Sequence, residues 1–235
     1  MATIAISPDG TRIVYVGANG TIFVRRWNQL DATPLTGLGS ARGLFFSPDG
    51  HWIGFFDATS STLKKVAVGG GPPITLCLIV GSPRGGTWGA DGTIVFATND
   101  VTGLLRVPEG AGEPSILTKP NRERSEVDHP WPEFLPGGKA VLFAILPNTG
   151  SLDSAQVAVL DLRTGTQKIL VRGGSDAHFV SSGHLVYGVA GTMRAVVFDP
   201  GRLEVASTPV AVVSEVVTTS FGAADFDAAE DGTLV

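Results

Sequence analysis

At 235 residues, with 31 Gly and 15 Pro, the chain has the length of one or two domains and is rich in the residues that punctuate turns. Its net charge of −5, with 17 Lys and Arg spread along the sequence, leaves no basic stripe, so nucleic acid is excluded as an expected partner. Runs such as ITLCLIV and VLFAIL fall far short of the roughly 20 apolar residues a membrane helix needs, and no stretch sustains a helical period, so short buried strands joined by tight turns are expected.

Met1 is followed directly by ATIAISPDG, which has neither a basic n-region nor a long apolar h-region, so these residues encode no secretory signal. That leaves open where the parent gene begins. The stretch predicts a first strand at 3–7, closed by Ser7-Pro8-Asp9-Gly10. In that turn proline pre-sets φ at the second position and glycine tolerates a left-handed conformation at the fourth. Strands are then predicted at 12–17, 21–27 and 33–38. The turn recurs as Ser47-Pro48-Asp49-Gly50, between strands at 43–47 and 52–57 that are followed by 62–67 and 73–77. A third unit reads 85–89, 93–98, 103–108 and 115–118. The polar segment KPNRERSEVDHP (119–130) reads as an insertion before a fourth unit at 131–135, 140–146, 155–161 and 167–171. The fifth unit is predicted at 177–180, 184–189, 192–199 and 209–214, and a sixth starts at 224–228 and 233–235.

The closing glycines Gly10, Gly50, Gly92, Gly138, Gly183 and Gly232 are spaced by 40, 42, 46, 45 and 49 residues. That period is the length of one four-stranded propeller blade. The second strands (RIVYVG, WIGFFD, TIVFAT, AVLFAIL, HLVYGV) are apolar on both faces, as strands sandwiched between two neighbouring blades must be. The expected fold is therefore an all-β propeller of four-stranded antiparallel blades forming a single domain over 1–235, with blades starting near 3, 43, 85, 131, 177 and 224. Five blades are complete, and the sixth has two strands in this sequence and ends on TLV. An uncovered strand edge of that kind invites pairing with another chain, so self-association is expected.

The unit x-x-F/W-S-P-D-G-x-x-I-x-F/Y resembles the WD-like repeat of TolB-type β-propellers and of the propellers fused to prolyl-oligopeptidase-type peptidases. More narrowly, ARGLFFSPDG, LKKVAVGGGPPITLC, GGTWGADGTIVFA, WPEFLPGGKAVLF and GHLVYG resemble the propeller sensor region that follows the kinase domain in many bacterial serine/threonine protein kinases. The resemblance covers essentially the whole chain. It implies a recognition module and favours a periplasmic or otherwise extracytoplasmic place.

Catalytic machinery is not recognisable. There is no kinase Gly-rich loop leading to a Lys-bearing strand, no HRD, no DFG and no G-x-S-x-G elbow. GLGSARG (37–43) leads into a strand rather than a helix and reads as an inter-blade loop. The single Cys77 lies in an apolar strand pattern, where a thiol behaves as a small buried hydrophobe, and no Cys/His spacing suggests a metal. No cofactor is expected.

Aligning the units gives the candidate site. Arg42 and Arg84 each stand four residues before the aromatic that ends a first strand, Phe46 and Trp88. The matching regions of units four and five hold Asp128 and His129, and Asp176 and His178. First strands line the axis of a propeller, so these six residues are expected to converge on one mouth of the central channel, where they would receive a protein, peptide or small ligand. The plainer reading is that each arginine pairs with a carboxylate or turn carbonyl of a neighbouring blade. The expected function is a non-enzymatic recognition or sensor module of a bacterial serine/threonine kinase, with a TolB-like docking scaffold or a peptidase's regulatory propeller as alternatives.

Overall fold

In the computed structural model, which describes residues 4–100, 102–148, 152–219, 221–224, 226–229 and 232–235, the repeated turn takes the same form at every copy. Each closing glycine donates its N–H to the carbonyl three residues earlier, at 2.8–3.0 Å, and all six have φ between +65° and +89°. An L side chain rarely adopts that conformation. In the two full motifs the serine hydroxyl donates to the aspartate at 2.5 Å (Ser7 to Asp9, Ser47 to Asp49), and the same carboxylate accepts the N–H two residues on. These bonds hold Asp9 down at about 2 and lower Asp49 in the same way.

The turns join five four-stranded antiparallel blades. Blade one is β1 (Ile4–Ile6), β2 (Arg12–Val16), β3 (Ile22–Arg26) and β4 (Thr33–Leu35), paired in that order. Blade two follows with β5 (Ala41–Phe46), β6 (Trp52–Asp57), β7 (Thr62–Ala67) and β8 (Ile74–Leu78). Blade three has β9 (Pro83–Trp88), β10 (Thr93–Thr98), β11 (Leu104–Pro108) and β12 (Ser115–Ile116). In blade four the innermost strand is split into β13 (Glu126–Asp128) and β14 (Glu133–Phe134), both pairing with β15 (Ala140–Pro147), which continues to β16 (Gln156–Asp161) and β17 (Gln167–Arg172). Blade five is β18 (Ser175–Val180), β19 (His184–Val189) and β20 (Thr192–Asp199), with the short β21 (Glu204–Val205) and β22 (Val210–Ser214) both pairing with β20.

The segment read as an insertion therefore carries a strand. Its charged residues turn through a short 3-10 helix at Arg122–Arg124, where the Asn121 carboxamide accepts from the N–H groups of Glu123 and Arg124. The chain then re-enters the sheet at Glu126. The charge that made it look like a loop belongs to this cap.

The core lies between blades, as expected for sheets stacked face to face around an axis. Val14, Ile22, Ile53 and Phe55 fill the space between blades one and two, and Phe46 packs there. Phe45, Phe56, Phe96 and Trp88 fill the next, with ring centroids 6.2–6.4 Å apart. Val95, Val141 and Phe143 join blades three and four, with Phe134 against them, while Leu142, Val157, Leu185 and Tyr187 join four and five. Each interface buries several large side chains, worth about 1.5–3 kcal/mol apiece relative to exposure.

The first strands of blades two to five share a further feature. A left-handed residue sits three places before the terminal aromatic in each: Gly43 (φ 57°), Gly85 (93°), Trp131 (57°) and Asp176 (52°). In blades two and five a shift in pairing register spans this residue, between Arg42 and Phe45 and between Ser175 and His178. In blade three a shift between Pro83 and Gly86 likewise spans Gly85, and in blade four the residue lies in the break between β13 and β14. These are bulges, and each kinks the innermost strand where it meets the channel.

Beyond β22, Thr218 bridges Ala224 and Ala228 bridges Leu234. Residues 222–224 and 226–229 lie between blades five and one. Ser175 Oγ donates to the Gly222 carbonyl at 2.7 Å, Ala224 N donates to Asp176 at 2.8 Å, and Ile6 N donates to Asp227 at 2.8 Å. Phe226 packs with Met193 of blade five, and Ala229 packs with Ile6 and Ile13 of blade one. Thr3 and Asp225, which fall in the expected strands, lie outside the described residues.

Candidate functional site

The fifth residue before each closing glycine is Ala5, Phe45, Thr87, Glu133, His178 and Asp227. All six line one cavity on the axis, of about 280 Å³, which reaches the first turns at Pro8, Pro48 and Gly137. The ring is divided by chemistry. Ala5, Phe45 and Thr87, with Gly43, Gly85 and Gly86 around them, make one apolar and small wall, and Glu133, His178 and Asp227 make an ionic one with Asp176 beside them.

Side chains at this level also fasten each blade to the next. Thr87 Oγ1 accepts from Phe134 N at 3.1 Å, Glu133 Oε1 from Phe179 N at 2.7 Å, and Asp227 Oδ2 from Ile6 N at 2.8 Å. The third bond repeats the geometry of the first two and ties residues 226–229 to blade one.

His178 is the centre of the ionic wall. Its Nδ1 lies 2.6 Å from Glu133 Oε2 and 3.6 Å from Asp227 Oδ1, and its Nε2 lies 3.9 Å from Asp176 Oδ1. Its ring meets Phe226 edge-on at 5.0 Å. Burial opposes protonation, yet Glu133, Asp227 and Asp176 together push the imidazole up to about 10. It is an imidazolium at neutral pH and is not free to act as a general base. Burial raises Asp176 to about 6 and raises Asp227 as well, with His178 pulling both the other way. Among the described residues Thr87 is the only hydroxyl in the lining, and its oxygen is engaged by Phe134 N. The arrangement presents charge to the cavity.

Of the six residues picked from the sequence, Asp176 and His178 come together in this cavity. Arg84 and Asp128 meet elsewhere, with Nε 3.7 Å from Oδ2, and the guanidinium lies over the Phe221 ring at 4.2 Å. Arg84 Nε and Asp128 Oδ1 are buried without a hydrogen-bond partner, and burial raises Asp128 to about 6 despite its backbone bond and Arg84. His129 is fully buried between Thr118 Oγ1 (2.8 Å to Nδ1) and Glu126 Oε2 (3.1 Å to Nε2). The Glu126 carboxylate can only accept, so Nε2 carries the proton of the neutral ring and Nδ1 accepts from the Thr118 hydroxyl, whose oxygen also accepts from Leu104 N. Burial lowers this histidine accordingly. Arg42 is exposed at the start of β5, and neither arginine lines the cavity.

Glu133 and Asp227 went unrecognised in the sequence, although they stand in register with His178. The signal was the count from the closing glycine.

No protein-family model and no curated protein matches the chain. Among solved structures it is similar to TolB from Acinetobacter baumannii, with 16% identity, a TM-score of 0.68 and coverage of 91% of this chain and 54% of that one. The chain thus spans about half the length of that TolB chain. It is also similar to a chain of a nidogen/laminin complex (14% identity, TM-score 0.64, covering 80% and 74%) and to one of Kuenenia stuttgartiensis hydrazine synthase (14%, 0.63, covering 97% and 70%). At these identities the likeness establishes the fold, a TolB-like β-propeller, and the fold hosts many functions.

Proposed function

We propose that this chain is a binding module rather than a catalyst, recognising a protein, peptide or small ligand at its central channel. The observation that carries the reading is the axial cavity, where equivalent positions of successive blades supply an apolar wall and an ionic wall that face one another. Concave sites with a few convergent polar groups are where propellers and other scaffolds bind. Residues 224, 226–229 and 232–235 serve in this reading within the opening strands of a sixth blade, supported by the register of Asp227 with Glu133 and His178.

The module works as the sensor of a bacterial serine/threonine protein kinase. The support is the set of motifs around SPDG, GGTWGADG and WPEFLPGG. An upstream kinase domain with a membrane span would bear this out, and an upstream secretion signal alone would replace it with a docking scaffold.

Binding is tested by titrating the isotope-labelled chain with a panel of short peptides, amines and carboxylates, and separately with ATP and Mg²⁺. The expected result is that at least one panel member shifts the amides of Gly85, Gly86 and Ala177 while ATP shifts none. Turnover of any substrate abolished by a point substitution in the channel would overturn the reading.

A further inference from the structure

The ionic wall of the channel is incompletely satisfied. Asp176 is only 7% exposed, yet it lines the cavity. Its Oδ2 accepts from Ala224 N, whereas the nearest cation to its Oδ1 is His178 Nε2 at 3.9 Å, beyond hydrogen-bonding reach. That Nε2 is itself buried without a partner. The other carboxylates are taken: Glu133 by Phe179 N and His178, Asp227 by Ile6 N and Ala228 N. One acceptor and one donor therefore stand unpaired side by side, the donor just beneath the cavity wall.

The charge is also uneven. Among the described residues three carboxylates face one imidazolium, and none of those lining the cavity is a lysine or arginine. Uncompensated charge in a low-dielectric cavity is costly and favours a cation. A bare metal ion does not suit the site, because no group of three or more His, Cys, Asp or Glu among the described residues is placed to hold one. The missing partner must donate to Asp176 Oδ1, accept from His178 Nε2, carry positive charge and place a small apolar body near Phe45.

Resting on the reading of the channel as a recognition site, we propose that it receives a primary ammonium with an adjacent carbonyl, the end group of an N-terminal residue. The ammonium donates to Asp176, the carbonyl accepts from His178 Nε2, and the first side chain lies toward Phe45 and the glycine wall. At about 280 Å³, the cavity admits one residue and excludes a folded domain. The group can come from a free amino-acid amide or from the start of a peptide.

Leucinamide is the probe, measured by calorimetry and by amide shifts of the whole chain, against N-acetylleucinamide, isopentylamine and succinate. A Leu-Ala-Ala peptide distinguishes a chain terminus from a small amide, since it binds as well as leucinamide only if the cavity mouth passes a backbone. Leucinamide is expected to bind, with acetylation or loss of the carbonyl each weakening it about tenfold or more. Asp176→Asn should weaken it similarly without lowering the thermal melt, because Asn tolerates the left-handed φ, its carbonyl still accepts from Ala224 N and a buried charge is removed. Equal affinity for the acetylated compound, or leucinamide binding unchanged in Asp176→Asn, overturns the proposal. So does binding of succinate with none of leucinamide, a result that leaves the recognition reading standing. Channel amides unmoved by any of the five compounds would overturn both.

Discussion

Glu133 and His178 hold the same place in consecutive blades, and their side chains meet at 2.6 Å across the channel wall. The glutamate's other oxygen accepts from the backbone of Phe179, the residue after that histidine. One side chain thus couples a charge pair to an inter-blade bond.

The pair predicts how stability depends on pH. His178 is held at about 10, above its ordinary 6.5, so its contribution is complete below about pH 6.5 and is lost as pH rises toward 10. Asp176 and Asp128, raised by burial to about 6 from 3.8, keep protons that the unfolded chain releases, so they also cost stability as pH climbs between those values. Asp9 and Asp57 act the other way: their carboxyls are lowered by hydrogen bonds, and their contribution is lost as pH falls below 3.8. Thermal melts should therefore decline from pH 7 to 10, no more steeply up to about pH 8 than the one-proton limit of about 1.4 kcal/mol per pH unit, with the buried Cys77 thiol adding to the decline near pH 9 and above. In His178→Gln that alkaline limb should flatten, and an identical limb in the variant would reject the assignment.

The inter-blade bonds make a second prediction. The amides of Ile6, Phe134 and Phe179 should exchange slowly with solvent, and each should quicken only in its own variant: Asp227→Ala, Thr87→Val and Glu133→Ala respectively. Leaving such an N–H without its acceptor costs about 1–3 kcal/mol. Asp227→Ala should lower global stability within that range, and a change too small to measure would mean that residues 226–229 do not brace blade one.

Much of this architecture was legible in the sequence because one turn chemistry repeats. SPDG and its degraded copies predict the left-handed glycine, and the doubly apolar second strands predict burial between sheets. The site was only half legible. Gly43 and Gly85 signal a bulge, but Trp131 and Asp176 adopt the same backbone with side chains that give no such sign. An extra residue in a strand changes the face on which upstream side chains emerge. Arg42, Arg84 and Asp128 precede the bulges and lie outside the cavity, while His178 and Glu133 follow them and line it. Strand β13 was hidden because a capped turn placed its charged residues directly before the pairing segment.

Packing between blades gives a third prediction. Phe56 is fully buried and meets Phe96 across the interface of blades two and three at 6.2 Å. Phe56→Ala should cost about 3–5 kcal/mol in chemical denaturation. Leu30→Ala, at a residue 92% exposed, should change stability by less than about 0.5 kcal/mol. Cys77 sits in the same cluster, with its thiol pushed up by burial to about 11, and it should resist alkylation at pH 8 until the chain unfolds.

The last prediction concerns the free edge near residue 234. Asp227 and Val235 exchange backbone bonds at 3.1 and 3.0 Å, and Leu234 bridges Ala228, so this hairpin is paired on its inner side. No strand among the described residues lies on its outer side. Leu234 is 43% exposed, and on blade five every residue of β22 is exposed, with Val210 at 57% and Val212 at 51%. An apolar sheet with an open ladder of N–H and C=O groups is a template for another strand. Sedimentation should therefore show a reversible shift toward dimers or larger species as concentration rises. Leu234→Lys and Val212→Lys, which place charge on the edge and on the exposed face, should each reduce that shift without altering the circular dichroism of the fold. A wild-type chain that stays monomeric at every concentration would mean that the edge is already covered from within the molecule.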